Sequence, residues 1–361
     1  MIEGIIPAEI EAGPEAIRAT LRDSAAAASS AAAALRGRGS RRVFVIGNGT
    51  SFHSALAASA LYARHAGPDD PVVIALTAGG FRTHLPALGP ADALVGISAS
   101  GEFRDVIGVV DELDAAIPSV GVVHVPGSTL ARSVDHAVVS SGGASSVPVM
   151  TKTFSATLVA TQLVLLGLLG DECVAGVRRE IAAAADHAAA AISSAERQLE
   201  ALVDAIAGAR HLFVVGAGLA HIAAMEAALK LKEVALVQAE GSETWEMTSG
   251  AATMLDEKAA VIALLPSGAG REATIGVVRH AAGWGATTVE VGPGAAVGSS
   301  VLVDLPSEAT EDHAPLTAVP PIALIAYALA RRRGIDPDRP DWVERYQSQG
   351  LDHLIGARKR P

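Results

Sequence analysis

Two stretches of this chain resemble each other, and this repeat limits the folds that the chain can adopt. An apolar segment followed by a glycine-rich turn occurs at Arg42–Ser51 and again at Arg210–Gly218. A second pair of similar segments, Ser100–Val110 and Ser267–Val278, follows in the same order. The interval between counterparts is about the length of one small domain, so the pattern indicates duplication of a whole fold rather than a solenoid of short repeats.

Short β-branched segments alternate with helical segments in both copies. The first copy has predicted strands at residues 41–46, 71–76, 92–98, 120–125 and 136–140. The second copy has predicted strands at residues 212–215, 261–265, 287–291 and 301–305. Such alternation is typical of βαβ units, so we predict an α/β fold in which each copy forms a mainly parallel sheet flanked by helices.

The two predicted domains occupy residues 40–171 and 209–335. Residues 1–39 are predicted to form an N-terminal helical arm, because their Ala-rich part favours a helix and a glycine pair ends it. The segment 172–208 is also Ala-rich and is predicted to be a helical linker. The remaining residues, 336–361, form a polar, proline-containing C-terminal tail.

The composition limits the classes of partner. With a formal net charge of −11 and no basic block, the chain is not predicted to bind nucleic acid or an anionic membrane surface. A single cysteine, Cys173, rules out an internal disulfide and a Cys-rich metal site. The apolar run around Leu158–Leu169 is too short to span a membrane, and Met1–Gly4 lacks the pattern of a secretion signal. We therefore expect a cytoplasmic protein.

Hydroxyl side chains follow two predicted strands of the first copy. One turn contains Gly49, Thr50 and Ser51, and the other runs from Ser98 through Ser100. The carboxyl ends of parallel strands are where open α/β sheets bind ligands, and backbone N–H groups and hydroxyls at a helix start can hold an anion. The alternative is structural: the glycines only allow a tight turn, and the serines only cap the next helix.

A different chemistry is suggested by the second copy. Lys230 and Glu233 are three residues apart on a predicted helix and therefore share a face. A carboxylate and an ammonium near a sugar could move a proton between adjacent carbons, with the cation stabilising the developing oxyanion. The alternative is an ordinary surface ladder, in which Glu226 and Lys230 form an i,i+4 pair.

In this order the motifs resemble the tandem sugar isomerase (SIS) domain family, and within it the isomerase half of glucosamine-6-phosphate synthase. The resemblance extends from about residue 40 to about residue 340. It is carried by five segments, which are Gly49–Ser51, Ser98–Glu102, Val125–Leu130, Thr151–Phe154 and Ala227–Glu233.

The resemblance implies two flavodoxin-like SIS domains and a shared set of site residues. Glu233 would be the isomerising base, supported by Lys230. The expected substrate- and anion-binding residues are Gly49, Thr50, Ser51, Ser98, Ser100, Phe103 and Thr151. Family members use no metal or redox cofactor for this chemistry, so we expect none here. They usually complete their sites across a dimer interface, so we also expect a homodimer.

Two departures from the family pattern bear on the anion that the substrate carries. Ala99 stands where the synthase has glutamine, and Phe103 stands where it has a phosphate-binding threonine. The loss of that hydroxyl shrinks or dries the anion pocket. The anion could therefore be a phosphate or a sulfonate, as in sulfoquinovose.

A third departure concerns the opening of the sugar ring. Ser249 replaces the ring-opening histidine of the family pattern. His53 is the best substitute in the sequence, ahead of His84 and His221. If none of these histidines takes over, the substrate would open unaided or the reaction would differ.

The leading functional hypothesis is an aldose–ketose isomerase that acts on an anionic sugar through an enediol. Two further hypotheses are an amino-sugar-phosphate deaminase or fructosamine-6-phosphate deglycase, which use similar proton chemistry, and a non-catalytic sugar-phosphate sensor. The sequence contains no segment expected to form the glutaminase half of a synthase. Residues 1–39 are too short and too Ala-rich for a convincing DNA-binding helix-turn-helix domain.

Overall fold

The computed structural model describes residues 3–83, 88–298 and 300–342. The chain forms two compact units. One contains Glu15–Ala144 and Lys152–Ala182, and the other contains Ala183–Pro340 together with the segment up to Pro14 and Ser145–Thr151. The division between the units falls inside a long helix, after Ala182.

The two sheets are built from ten strands in the described part of the chain. Up to the long helix, the elements are α1 (Ile5–Glu11), α2 (Gly13–Asp23), α3 (Ala25–Gly37), β1 (Arg42–Gly47), α4 (Thr50–His65), β2 (Val72–Thr77), α5 (Ala78–Thr83), β3 (Asp92–Ser98), α6 (Arg104–Asp111), β4 (Ser119–Val123), α7 (Thr129–Ser133), β5 (His136–Val139) and α8 (Lys152–Gly167). The remaining elements are α9 (Asp171–Arg197), α10 (Leu199–Ala207), β6 (His211–Gly216), α11 (Leu219–Ala235), β7 (Ala239–Glu243), α12 (Thr244–Ser249), β8 (Ala259–Leu264), α13 (Arg271–Gly283), β9 (Thr287–Gly292), β10 (Val301–Asp304), α14 (Ala314–Thr317) and α15 (Val319–Arg332).

The first sheet confirms the predicted α/β fold. Its five strands are all parallel and lie in the order β2-β1-β3-β4-β5. Residues of β1 and β3 are almost wholly buried, as expected for central strands covered on both faces by helices. Gly47, at the end of β1, is required by packing, because a Cβ there would lie 2.8 Å from the backbone carbon of Ser51. Helix α4 can therefore begin directly against the sheet.

The second sheet repeats this topology. Its order is β10-β9-β8-β6-β7, which is the same arrangement when the strands of each sheet are counted along the chain. Strand β7 was not predicted from the sequence. It consists of Ala-Glu-Gly-Ser-Glu and lies at the edge of the sheet, paired only with β6. A polar strand is tolerated there because one side needs no partner strand and its backbone bonds with β6 supply the order.

The predicted N-terminal arm is helical and consists of α1, α2 and α3. Helix α1 is held at its start by Asp338, whose carboxylate accepts hydrogen bonds from the backbone N–H groups of Ile5 (3.0 Å) and Ile6 (2.9 Å). The hydroxyl of Tyr327 donates to the same carboxylate at 3.0 Å. Burial and the Asp338 carboxylate raise the pKa of Tyr327 to about 12.

Among the described residues, one helical stretch, Glu311–Arg332, has the length and apolar composition needed to cross a membrane. This stretch contains α14 and α15. An apolar segment of 18 residues within it is 89% buried inside the protein. Helix α15 packs on α11, so this stretch serves as a core element of the second unit.

Candidate functional site

The turn after β1 presents the predicted residues Gly49, Thr50 and Ser51 at the start of α4. Gly49 has φ 53° and ψ −127°, a conformation that favours glycine. Thr50 and Ser51 are the first two residues of the helix and are 6% and 7% exposed. The start of a helix of this length carries partial positive charge, so the turn places two hydroxyl side chains where the helix field favours an anion.

The turn after β3 carries Ser98 and Ser100. The buried hydroxyl of Ser98 accepts a hydrogen bond from the N–H of Gly101 at 3.1 Å, and that of exposed Ser100 accepts from the N–H of Glu102 at 3.2 Å. Because each hydroxyl oxygen serves as acceptor within the turn, its proton can be donated to a ligand. The carboxylate of Glu102 is occupied elsewhere, since it accepts from the N–H (2.9 Å) and hydroxyl (2.8 Å) of Thr129.

These two turns leave the same edge of the first sheet. Strands β1 and β3 are parallel neighbours, and Ile46 pairs with Gly96, so both turns begin within the next two residues. The side chain of Asn48 donates to Asp105 at 3.3 Å and accepts from the N–H of Ala78 at 3.2 Å, which ties the first turn to α6 and α5. We refer to Gly47–Ser51 and Ser98–Glu102 together as the hydroxyl turns.

The remaining predicted residues of the first unit flank these turns. Phe103 precedes α6 and is 37% exposed. His53 lies in the first turn of α4, half-buried, with its ring centroid 6.2 Å from that of Phe52. His221 lies in the first turn of α11, and His84 lies outside the described residues. The structure therefore places His53 in the helical turn that begins at Thr50 and does not assign it a catalytic role.

Glu226, Lys230 and Glu233 form an ion cluster on one face of α11. The Lys230 Nζ atom lies 3.1 Å from a Glu226 oxygen and 2.6 Å from a Glu233 oxygen. The side chains of Lys230 and Glu226 are 1% and 0% exposed, whereas that of Glu233 is 31% exposed. This burial excludes an ordinary surface ladder. It also makes Glu233 the carboxylate of the cluster that a ligand can reach.

Lys230 stays charged because of its partners. Burial alone would lower the pKa of Lys230, but the carboxylates of Glu226 and Glu233 outweigh burial and raise it. An ammonium group held this way fixes the side-chain geometry of Glu233 through a short charge-assisted hydrogen bond. The cluster consequently presents one oriented, partly exposed carboxylate backed by a buried cation.

Thr151 is placed differently from the other predicted binding residues. It belongs to the unit of the second sheet, and its hydroxyl donates to the carboxylate of Glu9 at 3.2 Å. Glu9 is 6% exposed and also accepts from the N–H of Ser146 (2.9 Å) and the hydroxyl of Ser145 (3.1 Å). With its proton donated to a carboxylate, Thr151 has only acceptor capacity left for a ligand.

Ser249 does not replace the chemistry of an imidazole. It ends α12, and its hydroxyl donates to the carbonyl oxygen of Trp245 at 3.1 Å. Thr248 donates to the same carbonyl at 2.7 Å. Trp245 itself is 57% exposed. The end of α12 thus offers an aromatic surface and hydroxyls, but no side chain that titrates like histidine.

Glu226 and Glu9 were not predicted as site residues from the sequence. For Glu226 a signal was present, because Ala227, Ala228 and Leu231 surround it with an apolar pattern that marks the buried side of the helix. Glu9 carried no such signal, since its partners lie far away in the sequence. In the described part of the chain, His, Cys, Asp and Glu side chains form no group of three or more that could hold a metal ion.

The SIS domain family matches residues 38–167 and 205–291, together more than half of the chain. This chain belongs to the SIS domain family. Both matched regions contain the motifs described above, with the hydroxyl turns in the first and the ion cluster in the second.

Sequence similarity to individual proteins supports this assignment. The chain is 31% identical over 307 residues to the glutamine–fructose-6-phosphate aminotransferase of Pyrobaculum aerophilum, with 83% of this chain and 50% of that protein covered. It therefore spans about half the length of that relative.

Solved structures share the fold at lower identity. The C-terminal domain of glucosamine-fructose-6-phosphate aminotransferase from Francisella tularensis superposes with a TM-score of 0.85 at 22% identity, covering 94% of this chain and 99% of that one. The tagatose-6-phosphate ketose/aldose isomerase of Escherichia coli gives 0.77 at 17% identity, covering 93% and 95%. At these identities the structures establish the fold alone.

Proposed function

We propose that this SIS protein is an aldose–ketose isomerase that acts on an anionic sugar. The observation that carries the proposal is the ion cluster of α11, where a buried ammonium orients a carboxylate that is 31% exposed. A carboxylate held in this way suits proton transfer between adjacent carbons of a sugar. Two of the similar proteins are named for reactions of fructose 6-phosphate and tagatose 6-phosphate. These names support sugar 6-phosphates as a substrate class.

In the proposed reaction Glu233 removes the proton from C2 of the open-chain aldose. The electron pair forms the C1–C2 double bond of an enediolate, and the former carbonyl oxygen at C1 takes up a proton. Glu233 then returns its proton to C1 while the C2 hydroxyl loses a proton, which balances the proton taken up by the C1 oxygen, and the product is a ketose. Lys230 positions Glu233 and stabilises the negative charge that develops during the two transfers.

The hydroxyl turns would bind the anion. Thr50, Ser51, Ser98 and Ser100 offer donors at the start of α4 and after β3, and a helix start favours negative charge. Phe103 in place of a hydroxyl residue leaves fewer donors, which favours an anion with lower charge than a phosphate dianion. We therefore include sulfonated sugars such as sulfoquinovose among the proposed substrates, beside sugar 6-phosphates.

A panel of aldose and ketose 6-phosphates and 6-sulfonates in D2O tests this proposal. An isomerase incorporates deuterium at C2 of the aldose, or C1 of the ketose, and yields the isomer, both visible by NMR. Release of ammonia or an amine from an amino-sugar substrate would instead identify a deaminase or deglycase. Saturable binding without exchange or turnover for every sugar that binds would identify a sensor. The proposed homodimer is tested separately by the mass of the protein in solution.

A further inference from the structure

In the second copy, the turn that corresponds to Ser98–Glu102 is covered by its own chain. The N–H of Ser267 donates to the carbonyl of Ala309 at 3.0 Å, and the N–H of Glu311 donates to the carbonyl of Ser267 at 2.8 Å. The hydroxyl of Ser267 donates to the carbonyl of Ser307 at 3.0 Å. The segment Ser307–Glu311 therefore uses the polar groups that Ser100 leaves available in the first copy.

The Glu311 side chain continues into the space between the two turns of this copy. Glu311 is 6% exposed. One carboxylate oxygen accepts a hydrogen bond from the N–H of Leu219, the first residue of α11, at 3.4 Å. The other lies so close to Gly268 that a Cβ on this glycine would be 2.5 Å away. In the first copy, the counterparts of Leu219 and Gly268 are Thr50 and Gly101, which belong to the hydroxyl turns.

We propose that Glu311 is an internal anion, which occupies in the second copy the place that an external oxyanion takes in the first. A carboxylate is stabilised at a helix start for the same reason as a phosphate, because unpaired N–H groups and the helix dipole face it. The second copy thus needs no ligand at this position. Its helix α11, which bears Lys230 and Glu233, is anchored in a ligand-independent way.

This inference rests on the proposed function of the first copy for its reference site, but it is tested apart from catalysis. Inorganic phosphate is titrated calorimetrically into the wild type and into Glu311→Ala. The wild type is expected to bind one phosphate per chain, through the hydroxyl turns, and Glu311→Ala is expected to bind two. If the hydroxyl turns do not bind phosphate, the counts become zero and one, so failure of the first-copy site and failure of this inference give different results.

Glu311→Gln is the matched control. The amide fills the same space without charge, so this variant should retain the phosphate count of the wild type. Thermal unfolding gives a second readout, in which phosphate should raise the Tm of Glu311→Ala more than that of Glu311→Gln. If Glu311→Ala does not fold well enough to titrate, Glu311→Ser opens the same space and retains a hydroxyl. A folded Ala or Ser variant with the phosphate count and Tm response of the wild type would overturn the inference.

Discussion

The two copies of the fold have nearly the same backbone, but different side chains, at the turn that precedes α4 in the first copy and α11 in the second. Gly49 has φ 53° and ψ −127°, and its counterpart Gly218 has φ 56° and ψ −127°. The residues that follow are Thr50 and Ser51 in one copy but Leu219 and Ala220 in the other. The duplicated backbone therefore repeats the same turn geometry, and only the first copy carries hydroxyl side chains on it.

The helices that follow these turns show the opposite distribution of polar groups. Counted along the sequence from the glycine that ends the preceding strand, Glu226 corresponds to Ala57 of the first copy. By the same count, Lys230 corresponds to Leu61. All four are buried. Since this fold accepts alanine and leucine at these positions, burying a charged pair is not needed for folding, and it is costly unless the charges are paired. The comparison supports the proposal that the ion cluster has a role in the reaction rather than in folding.

The largest expected effect is on stability. It tests directly whether the buried charged pair of α11 can be replaced by the apolar pair found in α4. Lys230→Leu, the residue of the first copy, leaves Glu226 buried without its cation and should lower the free energy of unfolding by about 3–5 kcal/mol. Adding Glu226→Ala, which recreates the apolar pair of the first copy, should recover most of that loss. Chemical denaturation measures both. If the double variant is no more stable than Lys230→Leu alone, the two copies do not share this core.

The next effect concerns the anion. Ser100→Ala removes a hydroxyl from the turn after β3 and should weaken binding of inorganic phosphate at least about 10-fold, because hydrogen bonds to charged groups contribute about 1.5–3 kcal/mol. Ser267→Ala is the matched variant in the second copy, where the hydroxyl is already used by Ser307. It should leave the phosphate affinity measured by calorimetry unchanged. Equal losses in both variants would show that the first copy is not the anion site.

The smallest expected effect concerns the choice of anion. Phe103→Thr adds a donor beside the hydroxyl turns and removes an aromatic ring that is 37% exposed. The affinity for a sugar phosphate should rise a few-fold relative to the matching sugar sulfonate, since one added hydrogen bond contributes about 1 kcal/mol. Competition calorimetry with the two ligands gives this ratio. An unchanged ratio would place the anion away from Phe103.

The elements that carry a strong local pattern could be predicted from the sequence. The first sheet was predicted strand for strand, because its strands are apolar and separated by helical segments, and β1, β3 and β4 are also buried. Strand β7 was missed, because Ala239–Glu243 has no strand pattern and is ordered by its pairing with β6. Local pattern cannot reveal an edge strand whose order comes from its neighbour.

The site shows the same limit. The i,i+3 spacing of Lys230 and Glu233 could not distinguish a surface ladder from a buried cluster, since both have the same spacing and differ only in what packs around them. The hydrogen bond between Thr151 and Glu9 joins residues that are 142 positions apart. Contacts of this kind depend on the tertiary fold, so the sequence identified the candidate residues but not which of their polar groups are already used.

The most direct test of Glu233 as the isomerising base is the rate at which Glu233→Gln exchanges the C2 proton of the sugar with solvent. The substitution keeps the size of the side chain and a hydrogen-bonding oxygen but removes the base, whose contribution is typically about 10²–10⁴-fold. We predict that the variant binds the sugar with nearly wild-type affinity and incorporates deuterium from D2O at C2 at least about 100-fold more slowly. Exchange at the wild-type rate in a folded Glu233→Gln variant would show that Glu233 is not the base.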